Sequence, residues 1–257
     1  MLEVTGIQFP IIWEDKNANL EQLDSLINDV SDSTDILILP EMFTTGFSMN
    51  PVPYSETMEG TTVDWMKNIA KKMDSAVCGS IMIQEKNIYR NRFLWVLPGG
   101  EIDYYDKAHP FCLNQEGKYF EAGKNRKVFE YKAWRIFPNI CYDLRFPIWN
   151  RNDMNYDLYI NVANWPSIRS FAWKQFLSAR ALENQAYTIG INRIGTDVFG
   201  VEFSGDSRIV SFDGTSVIEA IPGNTQILHA ILSKEKLDNY RKKYPFLADR
   251  DLFELKK

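Results

Sequence analysis

Residues 135–147 read RIFPNICYDLRFP. A short apolar run, Ile136, Phe137 and, past Pro138 and Asn139, Ile140, changes abruptly into Cys141-Tyr142-Asp143-Leu144-Arg145. The first half reads as a buried strand and the second as the polar turn that ends it. A strand fixes the backbone on one side of the cysteine. The turn exposes its sulfur and the following N–H on the other. Most free cysteines are small buried core residues, so what this one does depends on the segments around it.

Outward from this stretch, strands and helices alternate. Residues 2–9 alternate weakly and predict a first strand. Residues 17–30 place Leu20, Leu23, Ile27 and Val30 on one helical face. Ile36-Leu37-Ile38-Leu39 is a continuous apolar run, hence a fully buried strand, and it stops at Pro40-Glu41. Thr61-Thr62-Val63-Asp64 has the form of a capping box. It opens a helix that buries Val63, Met66, Ile69, Ala70 and Met73. Residues 76–83 predict a strand, and residues 92–97 and 101–105 flank Pro98-Gly99-Gly100, a hairpin signal. Residues 106–123 are polar and aperiodic, so they predict a loop.

Beyond the cysteine, residues 158–162 predict a strand ending in Asn164-Trp165-Pro166, and residues 171–186 a long helix. Strands follow at 189–194, 207–212, 216–220 and 227–232, with Asp213-Gly214 joining the second and third. A short helix opens at Ser233, and a tail runs from Pro245. Such alternation implies an α/β fold with large mixed sheets. With no linker or repeat in 257 residues, one domain over residues 1–257 is the simplest organisation.

Composition narrows the function classes. The chain is 45% hydrophobic and 25% charged, which suits a large globular core, and its net charge of -5 with no basic block disfavours nucleic acid and anionic membranes as partners. No apolar run approaches the roughly 18 residues of a membrane span, and the first residues lack the form of a signal peptide. Cys78, Cys112 and Cys141 are odd in number and lack metal-type spacing, which fits a reducing compartment and so the cytoplasm. With only His109 and His229, no histidine-rich metal site is expected.

A cysteine hydrolase needs a group to take the thiol proton. His109 is one option, the other for this residue being a loop histidine bonded to a backbone carbonyl. A carboxylate base with a lysine is the alternative, because a carboxylate in a partly dry pocket can act as a base near neutral pH. Glu41 ends the most apolar strand and Lys107 follows the strand over 101–105. The order is LPE, then YDKAHPF, then NICYDLRFP, each where a strand runs out, and strand ends in an open sheet can converge on one crevice.

On these residues the chain resembles the nitrilase (carbon–nitrogen hydrolase) superfamily, from IQFP at residues 7–10 to the strands past residue 206. Within it the sequence is most similar to bacterial omega-amidases. That likeness rests on LPEMFTTGFSM, NICYDLRFPIWNR, ANWPSIRSFAWKQFLSARALENQAY, NRIGTD and FSGDSRI. The resemblance implies a four-layer αββα sandwich with two mixed sheets inside and helices outside. It implies a Glu41–Lys107–Cys141 triad working through a thioester, with the oxyanion held by Lys107 and the backbone N–H of Tyr142, and no metal or organic cofactor. The family's second glutamate stands seven residues before a glycine; Glu116 holds that position before Gly123, with Glu121 as the neighbouring alternative. The implied substrate is a small omega-amide of a 2-oxo dicarboxylic acid, such as 2-oxoglutaramate or 2-oxosuccinamate. Other amidases and N-carbamoyl hydrolases of the superfamily are the rival reading, and a catalytically silent binding or scaffold protein the more distant one.

An arginine suits the distal carboxylate, because its guanidinium binds a carboxylate through two parallel hydrogen bonds. Arg169, just past the Asn164-Trp165-Pro166 turn, is the first candidate, its alternative being a surface arginine at a helix start. Arg145 is the second, or else a structural ion-pair partner. Phe111, Trp165 and Phe43 are aromatic candidates for the pocket wall. The family commonly pairs subunits, and the aromatic tail with Tyr244, Phe246 and Phe253 suits a homodimer.

Overall fold

A computed structural model describes residues 1–256. The first half runs β1 (Leu2–Gln8), α1 (Lys16–Ile27), β2 (Ile36–Ile38), α2 (Pro51–Tyr54), α3 (Thr61–Met73), β3 (Ala76–Glu85), β4 (Ile88–Val96) and β5 (Ile102–Asp106). The second runs β6 (Phe129–Tyr131), β7 (Trp134–Ile140), α4 (Pro147–Asn150), β8 (Leu158–Ala163), α5 (Ser170–Asn184), β9 (Tyr187–Asn192), β10 (Ile194–Thr196), β11 (Glu202–Ser204), β12 (Arg208–Val210), β13 (Ser216–Glu219), β14 (Gln226–Leu232) and α6 (Lys234–Lys243).

Two six-stranded mixed sheets form, in the orders β14-β1-β2-β3-β4-β5 and β13-β12-β9-β8-β7-β6. In each, three parallel strands sit inside antiparallel neighbours: β1, β2 and β3 in one, β7, β8 and β9 in the other. The period of two along β2 sorts its side chains into two cores. Ile36 and Ile38 join a cluster that reaches Ile136, Ile140 and Leu158 of the other sheet. Leu37 and Leu39 pack with Leu23 and Ile27 of α1 and Val63, Met66 and Ile69 of α3. On the far side of the second sheet, Trp173 and Leu177 of α5 close over Gly190, where an added Cβ would stand 2.4 Å from Leu177 Cδ1. The layers are therefore helices, sheet, sheet, helices.

Several expected boundaries move. The capping box at Thr61 does not form: Gly60 is the N-cap with no side-chain bond, and the Thr62 N–H is already taken by Glu56 Oε2 at 2.8 Å. The strand expected over 92–97 begins four residues earlier, because β3 and β4 form one long hairpin through Lys86, whose φ is +59°. The strand expected over 189–194 starts at Tyr187 and stops at Asn192, and a separate short strand from Ile194 pairs with β11. Short β6 and β11 were not expected. The Pro98-Gly99-Gly100 hairpin forms as read, closed by the Leu97 N–H on Glu101 O at 2.9 Å.

Candidate active site

Three strand ends meet in one place. Glu41 lies three residues past β2, Lys107 directly follows β5, and Cys141 directly follows β7, so the first sheet supplies two groups and the second the third. The loop after Lys107 returns Glu116, in a single 3₁₀ turn over Glu116–Lys118, to the same spot. Lys107 Nζ donates to Glu41 Oε1 at 2.8 Å and to Glu116 Oε1 and Oε2 at 3.1 and 2.9 Å. All three side chains are buried. Glu121, by contrast, is half-exposed and paired with Arg90 at 2.9 Å.

Glu41 is fixed on every side. Its Oε1 also accepts from Asn91 Nδ2 at 2.8 Å, and its Oε2 from the Asn164 backbone N–H at 2.8 Å. The Asn164 amide closes the ring on the Glu41 carbonyl at 2.6 Å. Cys141 lies against this carboxylate, and its thiol is 3.8 Å from the Asn164 carbonyl oxygen. Cys141 itself has φ +44°, a left-handed backbone that a non-glycine residue holds only when its surroundings impose it.

The imposing group is Asp143. Its buried carboxylate accepts the Ile140 N–H at 3.1 Å and the Tyr105 hydroxyl at 2.8 Å on Oδ2. On Oδ1 it takes the His109 N–H at 2.9 Å and meets His109 Nδ1 at 2.7 Å. Asp143 thereby ties the cysteine turn to both flanks of Lys107. His109 is bonded to this carboxylate and not to a backbone carbonyl; its ring stacks on Phe146 at 3.7 Å, and among the described residues no contact joins it to Cys141.

The electrostatics follow from two carboxyl groups and one ammonium shut away from water. Burial alone would lower the Lys107 pKa, but Glu116 and then Glu41 outweigh it and hold the ammonium above its ordinary value. Burial pushes Glu116 above the usual carboxylate range; Lys107 opposes this and the charge of Glu41 adds to it. Burial pushes the Cys141 thiol well up, Glu41 pushes it further, and Lys107 opposes. The resting sulfur is therefore a protonated thiol beside a carboxylate.

Cys141 opens on a cavity of about 240 Å³ walled by Phe47, Phe111, Tyr142, Trp165, Pro166 and Phe203. Two cations line it. Arg145 lies over the Trp165 ring at 5.0 Å and Arg169 over the Phe111 ring at 5.3 Å. Among the described residues neither has an ion-pair partner, which corrects the reading of Arg145 as a structural ion pair. Phe43 is not in the wall; it is core, packed on Trp65 beneath α3. The sequence reading missed Asn91, Asp143 and Asn164. Asn164 and Asp143 lay inside segments already singled out, whereas Asn91 sits in the part of β4 that was not recognised.

With this geometry in hand, comparison with known proteins is specific. The carbon-nitrogen hydrolase family matches residues 3–242. An omega-amidase, YafV, of Yersinia enterocolitica is 43% identical over 252 residues, covering 98% of each chain. A 2-oxoglutaramate amidase of Bacillus subtilis is 30% identical over 97% of this chain and 98% of its own. Among solved structures, the CN-hydrolase superfamily protein XC1258 of Xanthomonas campestris, which carries an arsenic adduct in its active site, superposes with a TM-score of 0.96 at 36% identity, over 99% of each chain.

Proposed function

This chain belongs to the carbon–nitrogen hydrolase family, and on that premise we propose that it is an omega-amidase, hydrolysing omega-amides of 2-oxo dicarboxylic acids such as 2-oxoglutaramate to the 2-oxo acid and ammonia. The observation that carries the proposal is a buried Glu41–Lys107–Glu116 cluster against Cys141, opening on a cavity with two arginines that have no ion-pair partner among the described residues.

Glu41 takes the thiol proton as the sulfur attacks the amide carbon. Lys107 has three N–H donors; one goes to Glu41, one is shared by the two oxygens of Glu116, and the third is left for the oxyanion. Tyr142 is the second residue of a 3₁₀ turn, so its N–H has no partner within that turn and provides the second oxyanion donor. Protonated Glu41 then gives its proton to the departing ammonia, which leaves a thioester on Cys141. Glu41 next removes a proton from water as that water attacks the thioester, and the sulfur leaves with the proton back. Glu116 acts through Lys107, holding the ammonium charged and aimed. At the other end Arg169, with Arg145 in the same cavity wall, receives the carboxylate of the 2-oxo acid, while Phe111 and Trp165 hold its flat carbon chain.

We place the enzyme in the cytoplasm as a single-domain homodimer. All three cysteines are free, which suits a reducing compartment, and no helix among the described residues is long and apolar enough to cross a membrane. Phe246 is 57% and Leu252 95% exposed, an apolar tail suited to a partner subunit. Light scattering of the purified chain tests the pairing. Ammonia release from 2-oxoglutaramate, 2-oxosuccinamate, glutamine, asparagine and N-carbamoyl amino acids tests the activity. Equal kcat/KM for glutamine and 2-oxoglutaramate would overturn the substrate assignment.

A further inference from the structure

We propose that Asn91 is the positioning residue of the two carboxylates: its side-chain amide, its oxygen engaged by Ser80, holds Glu41 and Glu116 through a single nitrogen and so sets the base against Lys107 and Cys141. This rests on the reading of Glu41 as the base and goes beyond it.

Two like-charged groups buried side by side repel, and Lys107 is a flexible point charge that can satisfy either. A third group is needed to fix where each carboxylate stands. Asn91 Nδ2 has two hydrogens, and it donates at 2.8 Å to Glu41 Oε1 and at 3.2 Å to Glu116 Oε1. Turned over, the amide would set its oxygen against both carboxylates. The two carboxylates disfavour this, and Ser80 fits the observed orientation: its hydroxyl donates to Asn91 Oδ1 at 2.8 Å and itself accepts the Met42 N–H at 3.0 Å.

Met42 is the residue after Glu41, and its φ is +43°. The chain of bonds therefore runs from the peptide after Glu41, through Ser80 and Asn91, back to the Glu41 carboxylate. The Asn91 backbone carbonyl also accepts the Lys107 N–H at 3.0 Å. One residue thus touches the base, its partner glutamate and the main chain of the lysine. Asn91 is buried and does not line the substrate cavity, so it has no contact by which to bind substrate.

An amide titrates nothing, yet a donor that binds the charged form of a carboxylate favours that form. The charged or titratable groups facing the pair are Lys107 and Cys141. Removing the Asn91 donor leaves these in place and weakens the hold on negative charge. The acid limb of activity then moves to higher pH, by about one unit for the loss of one charge-assisted hydrogen bond.

The test uses Asn91→Leu, Asn91→Asp and Ser80→Ala in the full chain. It measures kcat and KM from pH 5 to 9, and in parallel the rate of Cys141 inactivation by iodoacetamide. For Asn91→Leu we expect kcat to fall about ten- to a hundredfold, KM to stay within about threefold, and the acid limb of both profiles to rise by about one pH unit. Ser80→Ala should move the limb in the same direction by less, and Asn91→Asp, which adds a third carboxylate, should lose more kcat than the leucine variant. Iodoacetamide needs no amide substrate, so a wild type inactive on 2-oxoglutaramate would sink the substrate assignment and leave this test standing. Acid limbs that superimpose on wild type, or a loss that falls mainly on KM, would overturn the proposal. Should Asn91→Leu lose its cooperative melt, the limb of Ser80→Ala decides: an upward shift supports the proposal and none overturns it.

Discussion

Replacing Glu116 by glutamine should move turnover and thiol reactivity in opposite directions. The substitution keeps the shape and removes one negative charge. Both oxygens of Glu116 already receive donors: Oε2 the Phe111 N–H at 2.5 Å, Oε1 the Asn91 amide at 3.2 Å, and both the Lys107 ammonium. A glutamine accepts at one end only, so whichever way it turns an NH₂ faces a donor. One such buried mismatch costs about 1–3 kcal/mol, and if Lys107 must shift to relieve it, kcat/KM falls roughly ten- to a hundredfold. The thiol responds the other way. Glu116 is one of the charges that push Cys141 upward, with burial and Glu41 ahead of it and Lys107 opposed. Taking that charge away brings the thiol down, so inactivation by iodoacetamide should set in at lower pH than in wild type while ammonia release slows. Stopped assays of both, on the same preparation across pH 5 to 10, decide the matter. Turnover within threefold of wild type, or an inactivation profile that moves up in pH, would refute the account of Glu116 as the group that holds Lys107.

Three further outcomes follow from the same geometry. Cys141→Ala should keep its melting temperature within a few degrees and lose ammonia release, whereas Cys78→Ala and Cys112→Ala should retain activity; mass spectrometry of quenched enzyme should find the acyl adduct on Cys141. Arg169→Ala should lower kcat/KM for 2-oxoglutaramate about ten- to a hundredfold, the cost of one buried charge-assisted contact, and change a neutral amide of equal length much less; an unchanged KM would transfer the anchor to Arg145. Asp143→Asn should destabilise by about 1–3 kcal/mol, because an amide accepts at one oxygen where the carboxylate takes four contacts. Calorimetry should show a melting temperature lower by roughly 2–12 °C, and slower alkylation of Cys141 should accompany it.

How much of this was legible depends on whether a feature is local. Ile36-Leu37-Ile38 reads as a doubly buried strand because β2 is parallel-paired on both sides and covered on both faces, and both facts demand apolar residues without a gap. Glu41 and Cys141 stand out for the matching reason, each following an apolar stretch, whereas Lys107 follows Ile102-Asp103-Tyr104-Tyr105-Asp106 and is singled out by its place between those two motifs and by the family resemblance. The first part of β4, Ile88-Tyr89-Arg90-Asn91, was hidden because with Arg92 it has no apolar alternation. Its charges are matched by distant groups, Arg92 by Asp106 at 2.6 Å and Arg90 by Glu121 at 2.9 Å. The capping box misled because the helix starts one residue early: Gly60 is the N-cap, the Asp64 N–H that Thr61 would have capped bonds Gly60 O at 3.0 Å, and Glu56, outside the four-residue pattern, takes the Thr62 N–H. Asn91 and Asp143 belong to the same class. Asn91 meets Glu41 across 50 positions, and Asp143 meets His109 across 34. Hydrophobic period tells which face of an element is buried and carries no information about which residue stands opposite. Glu41 and Cys141 are thus groups that break a local pattern, while Lys107 and Glu116 needed the resemblance. The groups that aim them come from strand pairing, and only the assembled sheets bring those residues face to face.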